Sequence, residues 1–187
     1  MSPAVDDYRP FRTLRVKDTV QERFEVPTLV RVLGLPRGGR VLEVGCGRGV
    51  ALGPIARLLE PRRLVGIDLD REALAAAHER LAVRGVPAEL VLGDVRAMPF
   101  AAASFDVVID FGTLYHLSRP ELALGEIERV LAPGGLFVHE TRIAQLAAHP
   151  VRALGRSICW SCAPALRAAG RGGLWAARCH APKGSTR

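Results

Sequence analysis

Between Arg40 and Glu140 short apolar runs alternate with amphipathic stretches, and this alternation restricts the chain to few architectures. Arg40-Val41-Leu42-Glu43-Val44-Gly45 reads as a buried strand closing on glycine. Residues 50–59 read as a helix whose first turn must accommodate Pro54. Leu64-Val65-Gly66-Ile67 is a second strand. Asp70 is placed to cap a helix over 71–83, with Leu74, His78 and Leu81 on one face and Gly85 beyond its end. Residues 88–92 and 105–110 read as third and fourth strands. Ser118-Arg119-Pro120-Glu121 has the form of a capping box opening a helix that buries Leu122, Ile127, Val130 and Leu131. Pro133-Gly134-Gly135 ends that helix, and Leu136-Phe137-Val138 is a fifth strand.

Strands that alternate with helices predict an α/β fold, a doubly wound, mostly parallel sheet with helices on both faces. Ligands of such sheets bind at the carboxyl ends of the strands, where strand order reverses. Three segments follow. Residues 1–39 form a helical lead-in, with helical character over 16–33 interrupted at Pro27, and a possible lid carrying Tyr8, Phe11 and Phe24. Residues 40–141 form the ligand-binding core. Residues 142–187 are a basic segment, with a helix over 144–154 broken by Pro150 and a last strand over 174–179; whether they complete the sheet is open.

The net charge of +7 invites a nucleic-acid reading, but its distribution argues against one. Residues 141–187 hold seven Arg and Lys183 and no acid, which leaves 18 basic and 19 acidic groups in the first 140 residues. A solvated basic tail is preferred to an anionic partner. Aromatic residues make up 5% and do not interleave with the basic ones, so no base-stacking platform is indicated. Cys159, Cys162, Cys179 and His180 lack regular metal-ligand spacing in their second half, so they are read with Cys46 as incidental thiols, and no metal is expected. No stretch reaches the ~18 apolar residues of a membrane span, and the first residues lack an apolar signal core. A cytoplasmic protein is expected.

The chemistry concentrates at three strand ends. Glu43-Val44-Gly45-Cys46-Gly47-Arg48-Gly49 is a glycine-rich strand-to-helix turn, which lets a ligand approach the backbone and suits an anionic group. Val50 stands where a dinucleotide fingerprint wants glycine, so a carboxylate is favoured over a pyrophosphate. Asp68, at the end of the second strand, is suited to a ribose diol. Asp94, after the third, is suited to an exocyclic amino group. Together they describe a pocket for a nucleoside that bears a carboxylate.

These segments, with Gly93-Asp94-Val95-Arg96-Ala97-Met98-Pro99-Phe100, Ser104-Phe105-Asp106-Val107-Val108 and Glu126-Ile127-Glu128-Arg129-Val130-Leu131-Ala132-Pro133-Gly134-Gly135, resemble the ordered motifs of class I S-adenosylmethionine-dependent methyltransferases. The similarity is greatest to the small-molecule type that includes the ubiquinone/menaquinone methyltransferases. It implies a Rossmann-like fold and S-adenosyl-L-methionine as cofactor. It also implies Glu43, Gly45, Cys46 and Gly47 around the methionyl part, Asp68 on the ribose and Leu69 against the adenine. Asp94 and Val95 would meet the adenine edge, and Asp110 and Phe111 would line the methyl-donor end. Asp110 stands where the family more often has a small polar residue.

The expected reaction is in-line methyl transfer to a small organic acceptor. Its catalytic base is not readable; His116, Tyr115 and Asp110 are the candidates if an acceptor proton must be taken. RNA or protein methylation recruited by the basic tail is an alternative, as is a non-catalytic cofactor-binding protein. Acceptor identity and oligomeric state are not legible.

Overall fold

The computed structural model describes residues 14–140 and, as backbone, Leu174–Arg178. The expected helix over 144–154, Tyr8, Phe11, Cys159, Cys162, Cys179 and His180 lie outside the described residues. Six strands form one sheet: β1 (Arg40–Val44), β2 (Arg63–Asp68), β3 (Glu89–Leu92), β4 (Phe105–Asp110), β5 (Leu131–Glu140) and β6 (Leu174–Arg178). Their spatial order is β3-β2-β1-β4-β5-β6. The first five are parallel, and β6 runs antiparallel to β5. Order therefore reverses between β1 and β4, and the cleft outside their carboxyl ends is where such a sheet takes its ligand.

Both faces are covered. On one, α2 (Val26–Leu33), α3 (Leu52–Leu59) and α4 (Arg71–Val83) pack Val26, Val30, Ile55, Leu59, Leu74 and Leu81 against Val41, Val107 and Ile109. On the other, α5 (Pro120–Val130) packs Ala123, Ile127 and Val130 against Leu42, Val44, Val65, Ile67 and Val108. Alternation along β1 and β4 sends successive apolar side chains to opposite faces, so a continuous apolar run is needed.

Asp70 caps α4 as expected, its Oδ1 accepting from the N–H groups of Glu72 (2.8 Å) and Ala73 (3.2 Å). Four local readings are corrected. The buried stripe of α4 is Leu74, Ala77 and Leu81, and His78 is exposed because the stripe runs through position 77. In α5 Ala123 is buried and Leu122 faces outward. The box at Ser118 does not form: Arg119 precedes α5 in the left-handed region and no side chain caps the helix. The Ser118 carbonyl instead accepts from Arg96 (3.3 Å). Finally, β5 starts at Leu131, and Ala132 to Gly135 bulge out between the Phe105–Leu131 and Val107–Leu136 pairs.

Pro27 does not interrupt the lead-in. It falls in the first turn of α2, where its missing N–H costs nothing, and a wide turn (Gln21–Glu25) joins it to α1 (Leu14–Val20). That turn buries Glu25, and burial lifts its carboxyl from 4.5 to about 7, against a smaller opposing effect of Lys17. The folded state therefore holds this proton more tightly than the unfolded chain does. Stability is fully present below about pH 4.5 and is lost as pH rises through about 7. Urea unfolding at pH 5 and pH 8 should show a loss on the order of 3 kcal/mol from this group, which Glu25→Gln should largely remove. An unaltered pH dependence in the variant would contradict the burial argument.

Candidate active site

The turn after β1 is built on positive backbone angles at Gly45 (φ 64°), Gly47 (φ 50°) and Gly49 (φ 67°). The Cys46 N–H donates to the Ile67 carbonyl (3.1 Å), and the Gly47 N–H donates to Asp68 Oδ2 (2.7 Å). Asp68 Oδ1 accepts from the Asp70 N–H (2.9 Å). One carboxylate thus ties the ends of two neighbouring strands together while its remaining lone pairs stay available. A Cβ on Gly47 would meet nothing within 4 Å, so the backbone there is open to a ligand. Leu69, the next residue after β2, is 66% exposed beside this opening.

Glu43 is buried under the same turn. Burial, then the charges of Asp110 and Asp68, push its carboxyl well above the usual range. Its Oε2 has no hydrogen-bond partner among the described residues. Cys46 is buried too, and burial together with Glu43 and Asp68 pushes its thiol up.

At β3 the Asp94 carboxylate is gripped by Arg96, with Nε at 3.0 and 3.1 Å and a terminal nitrogen at 2.7 Å. The Arg96 guanidinium holds the Asp94 carboxyl below its usual range. Val95 is buried beside Met98. The 97–100 loop is fixed from α5: the Met98 N–H donates to Glu126 Oε2 (2.6 Å), and Arg129 donates to the carbonyls of Met98 (3.0 Å) and Phe100 (2.7 Å).

At β4 Asp110 is fully buried and accepts from the N–H groups of Thr113 (2.6 Å) and Leu114 (3.3 Å). Its Oδ2 lies 2.7 Å from His139 Nδ1. Phe111 is half-buried against the face of α2 and α3. Tyr115 and His116 lie in a short 3₁₀ turn, their rings 4.3 Å apart, with His116 exposed.

Sequence reasoning missed three groups. Thr113 sits on Gly45, and its hydroxyl donates towards the Val44 carbonyl (3.3 Å). His139 is directly across from Asp110 in the β4–β5 register, a pairing visible only once the strand ends are aligned. Asp18 on α1 receives Arg48 of the glycine turn (2.6 Å) and Arg80 of α4 (2.5 Å), while Glu22 receives Arg84 (2.6 Å). No local pattern announces that clamp. Among the described residues there is no cluster with the makings of a metal site.

The residues present fit the cofactor that the motifs imply. The buried orphan oxygen of Glu43 calls for a donor, and an α-ammonium group supplies one. Asp68 and Asp110, whose charges reach Glu43, suit a ligand that also carries a sulfonium charge.

Residues 42–139 match the methyltransferase domain family. A fatty-acid O-methyltransferase of Mycolicibacterium smegmatis is 36% identical over 102 residues, 54% of this chain and 36% of that one. Phthiotriol/phenolphthiotriol dimycocerosates methyltransferase 1 of Mycobacterium ulcerans is 35% identical over 131 residues, 64% of this chain and 46% of that one. The chain thus spans under half the length of these two relatives. The structure of a SAM-dependent methyltransferase from Aquifex aeolicus superposes with a TM-score of 0.61 at 24% identity, covering 67% of this chain and 69% of that one. With its motifs in order along a doubly wound sheet and more than half its length matched, the chain belongs to the class I S-adenosylmethionine-dependent methyltransferase family.

Proposed function

We propose that this protein transfers a methyl group from S-adenosylmethionine to a small, lipid-like organic acceptor by in-line displacement. The observation that carries the reading is the buried, unpartnered Glu43 oxygen beneath a glycine turn strapped by Asp68. Glu43 would receive the ammonium group, Asp68 the ribose hydroxyls and Asp94, already oriented by Arg96, the adenine amino group. Gly45, Gly47 and the backbone of Cys46 would border the methionyl part. Leu69 and Val95 would flank the ring, and Phe111 would wall the donor end. When bound, the cofactor supplies an activated methyl on a sulfonium, so orientation by these residues can contribute roughly 7–11 kcal/mol of the rate enhancement.

The lipid-like acceptor is supported by the names of the two mycobacterial relatives, which refer to a fatty acid and to phthiotriol/phenolphthiotriol dimycocerosates. They favour this class over the ubiquinone/menaquinone type. Among the described residues no helix is long and apolar enough to cross a membrane; a cytoplasmic location remains part of the proposal. The test is calorimetric titration with S-adenosylhomocysteine beside an NADH control. Micromolar binding of the first and none of the second supports the reading, and a folded protein that binds neither overturns it.

The lead-in is read as a lid over this site. The Asp18–Arg48 pair would hold α1 on the glycine turn and the Asp18–Arg80 pair would hold it on α4, and Asp18 is only 13% exposed there. Asp18→Asn should weaken S-adenosylhomocysteine binding about 3- to 10-fold, as expected for loss of a partly shielded ion pair. The wild type should lose affinity between 50 and 500 mM salt, roughly as such a pair is screened. Equal affinities for variant and wild type would remove the lid from the account.

A further inference from the structure

We infer that His139, oriented by Asp110, is the general base of the transfer, and that the acceptor therefore presents a hydroxyl rather than a carboxylate. This rests on the methyl-transfer reading above. Asp110 is fully buried at the carboxyl end of β4, beside the glycine turn that Thr113 contacts. Its Oδ2 lies 2.7 Å from His139 Nδ1 on the adjacent strand. Two backbone N–H groups, from Thr113 and Leu114, hold the same carboxylate in place. A carboxylate of this kind receives the Nδ1 proton, which leaves the Nε2 lone pair of a neutral imidazole as the proton acceptor. The ring lies near-parallel to that of Phe137, centroids 6.1 Å apart, and the side chain is 24% exposed, so it is oriented by Asp110 and still accessible. A carboxylate, an oriented imidazole and a nearby reacting centre make up the arrangement that activates hydroxyl nucleophiles.

The step balances without an outside reagent. The acceptor oxygen forms its bond to the methyl carbon, its hydroxyl proton passes to His139 Nε2, and the electron pair of the broken carbon–sulfur bond remains on sulfur. A carboxylic acid is already ionised near neutral pH and gives a base nothing to do. Asp110 acts through His139 and is a positioning residue.

The test uses the whole chain with two matched probes, hexadecan-1-ol and hexadecanoic acid, and follows formation of S-adenosylhomocysteine. Methylation of the alcohol should fall about 10²- to 10⁴-fold in His139→Ala, as for loss of a general base. Added imidazole should restore part of it, and S-adenosylhomocysteine should still bind. His139→Gln, which keeps more of the side-chain volume, should be equally slow and not rescued. Independently of turnover, ¹⁵N resonances of the imidazoles, assigned by difference with His139→Gln, should show His139 with its proton on Nδ1. A proton on Nε2, or an undiminished rate in both variants, overturns the assignment. So does methylation of the acid alone. Loss of cofactor binding by the wild type would instead remove the methyl-transfer reading itself.

Discussion

Gly45→Ala is expected to lower the melting temperature by about 10 °C and to abolish measurable S-adenosylhomocysteine binding, because backbone strain and overpacking together cost roughly 3–5 kcal/mol. Gly45 has φ 64°, and a Cβ there would lie 1.9 Å from Thr113 Oγ1 and 2.6 Å from the Thr113 Cβ and Cγ2. Thr113 cannot simply swing away. Its N–H is held by Asp110 (2.6 Å), and its hydroxyl faces the Val44 carbonyl (3.3 Å). Gly34→Ala is the control: φ is 58°, but nothing lies within 4 Å, so only the backbone strain of roughly 1–2 kcal/mol should appear. In a double-mutant cycle Thr113→Gly should relieve the packing part of the Gly45→Ala loss and leave the strain. If Gly45→Ala were no worse than Gly34→Ala, the close packing of Thr113 on the turn would be refuted.

The second large effect is Asp68→Ala, for which we expect at least a roughly 100-fold loss of S-adenosylhomocysteine affinity in a protein that still folds. The carboxylate accepts from the Gly47 and Asp70 N–H groups at 2.7 and 2.9 Å. Hydrogen bonds to a charged group are worth about 1.5–3 kcal/mol each, and their loss would free the turn even before any contact to the ribose is counted. Asp106→Ala makes the informative comparison. Asp106 lies at the amino end of β4, where hydrogen bonds from Arg40 and the charge of Arg62 hold its carboxyl down at about 2. Its loss should lower stability, most clearly above pH 4 where the unfolded chain has also ionised, and leave binding unchanged. Equal binding losses in the two variants would mean that Asp68 acts only through general stability.

The five parallel strands were legible because each is an apolar run closed by a turn signal, and a sheet covered on both faces needs such runs. Helix faces were less legible. Positions 77 and 78 both satisfy the spacing set by Leu74 and Leu81, and only packing selects Ala77 over His78. Ser118-Arg119-Pro120-Glu121 carries the residues of a capping box, yet Arg119 adopts φ 67° and the box does not close. At the candidate site, local motifs located the glycine turn, Asp68 and Asp94. Partners distant in sequence escaped. The Arg48–Asp18 pair is separated by 30 residues, and Asp110–His139 by 29. Both depend on how elements pack or align, which a single sequence does not display. The Asp94–Arg96 grip is local, but an acid two residues before a basic side chain is too common a pattern to single out.

The antiparallel strand β6 bears on how the edge of this sheet is finished. Without it the last parallel strand would present Leu136-Phe137-Val138-His139-Glu140 as a bare edge, with a row of backbone donors and acceptors open to any passing strand. Pairing of Leu174–Arg178 along that whole stretch closes the row from within the same molecule. Leu174–Arg178 therefore shields β5 only once it has docked; while β5 has formed and its cover, more than thirty residues further along, has yet to arrive, that edge is open to pairing with another chain.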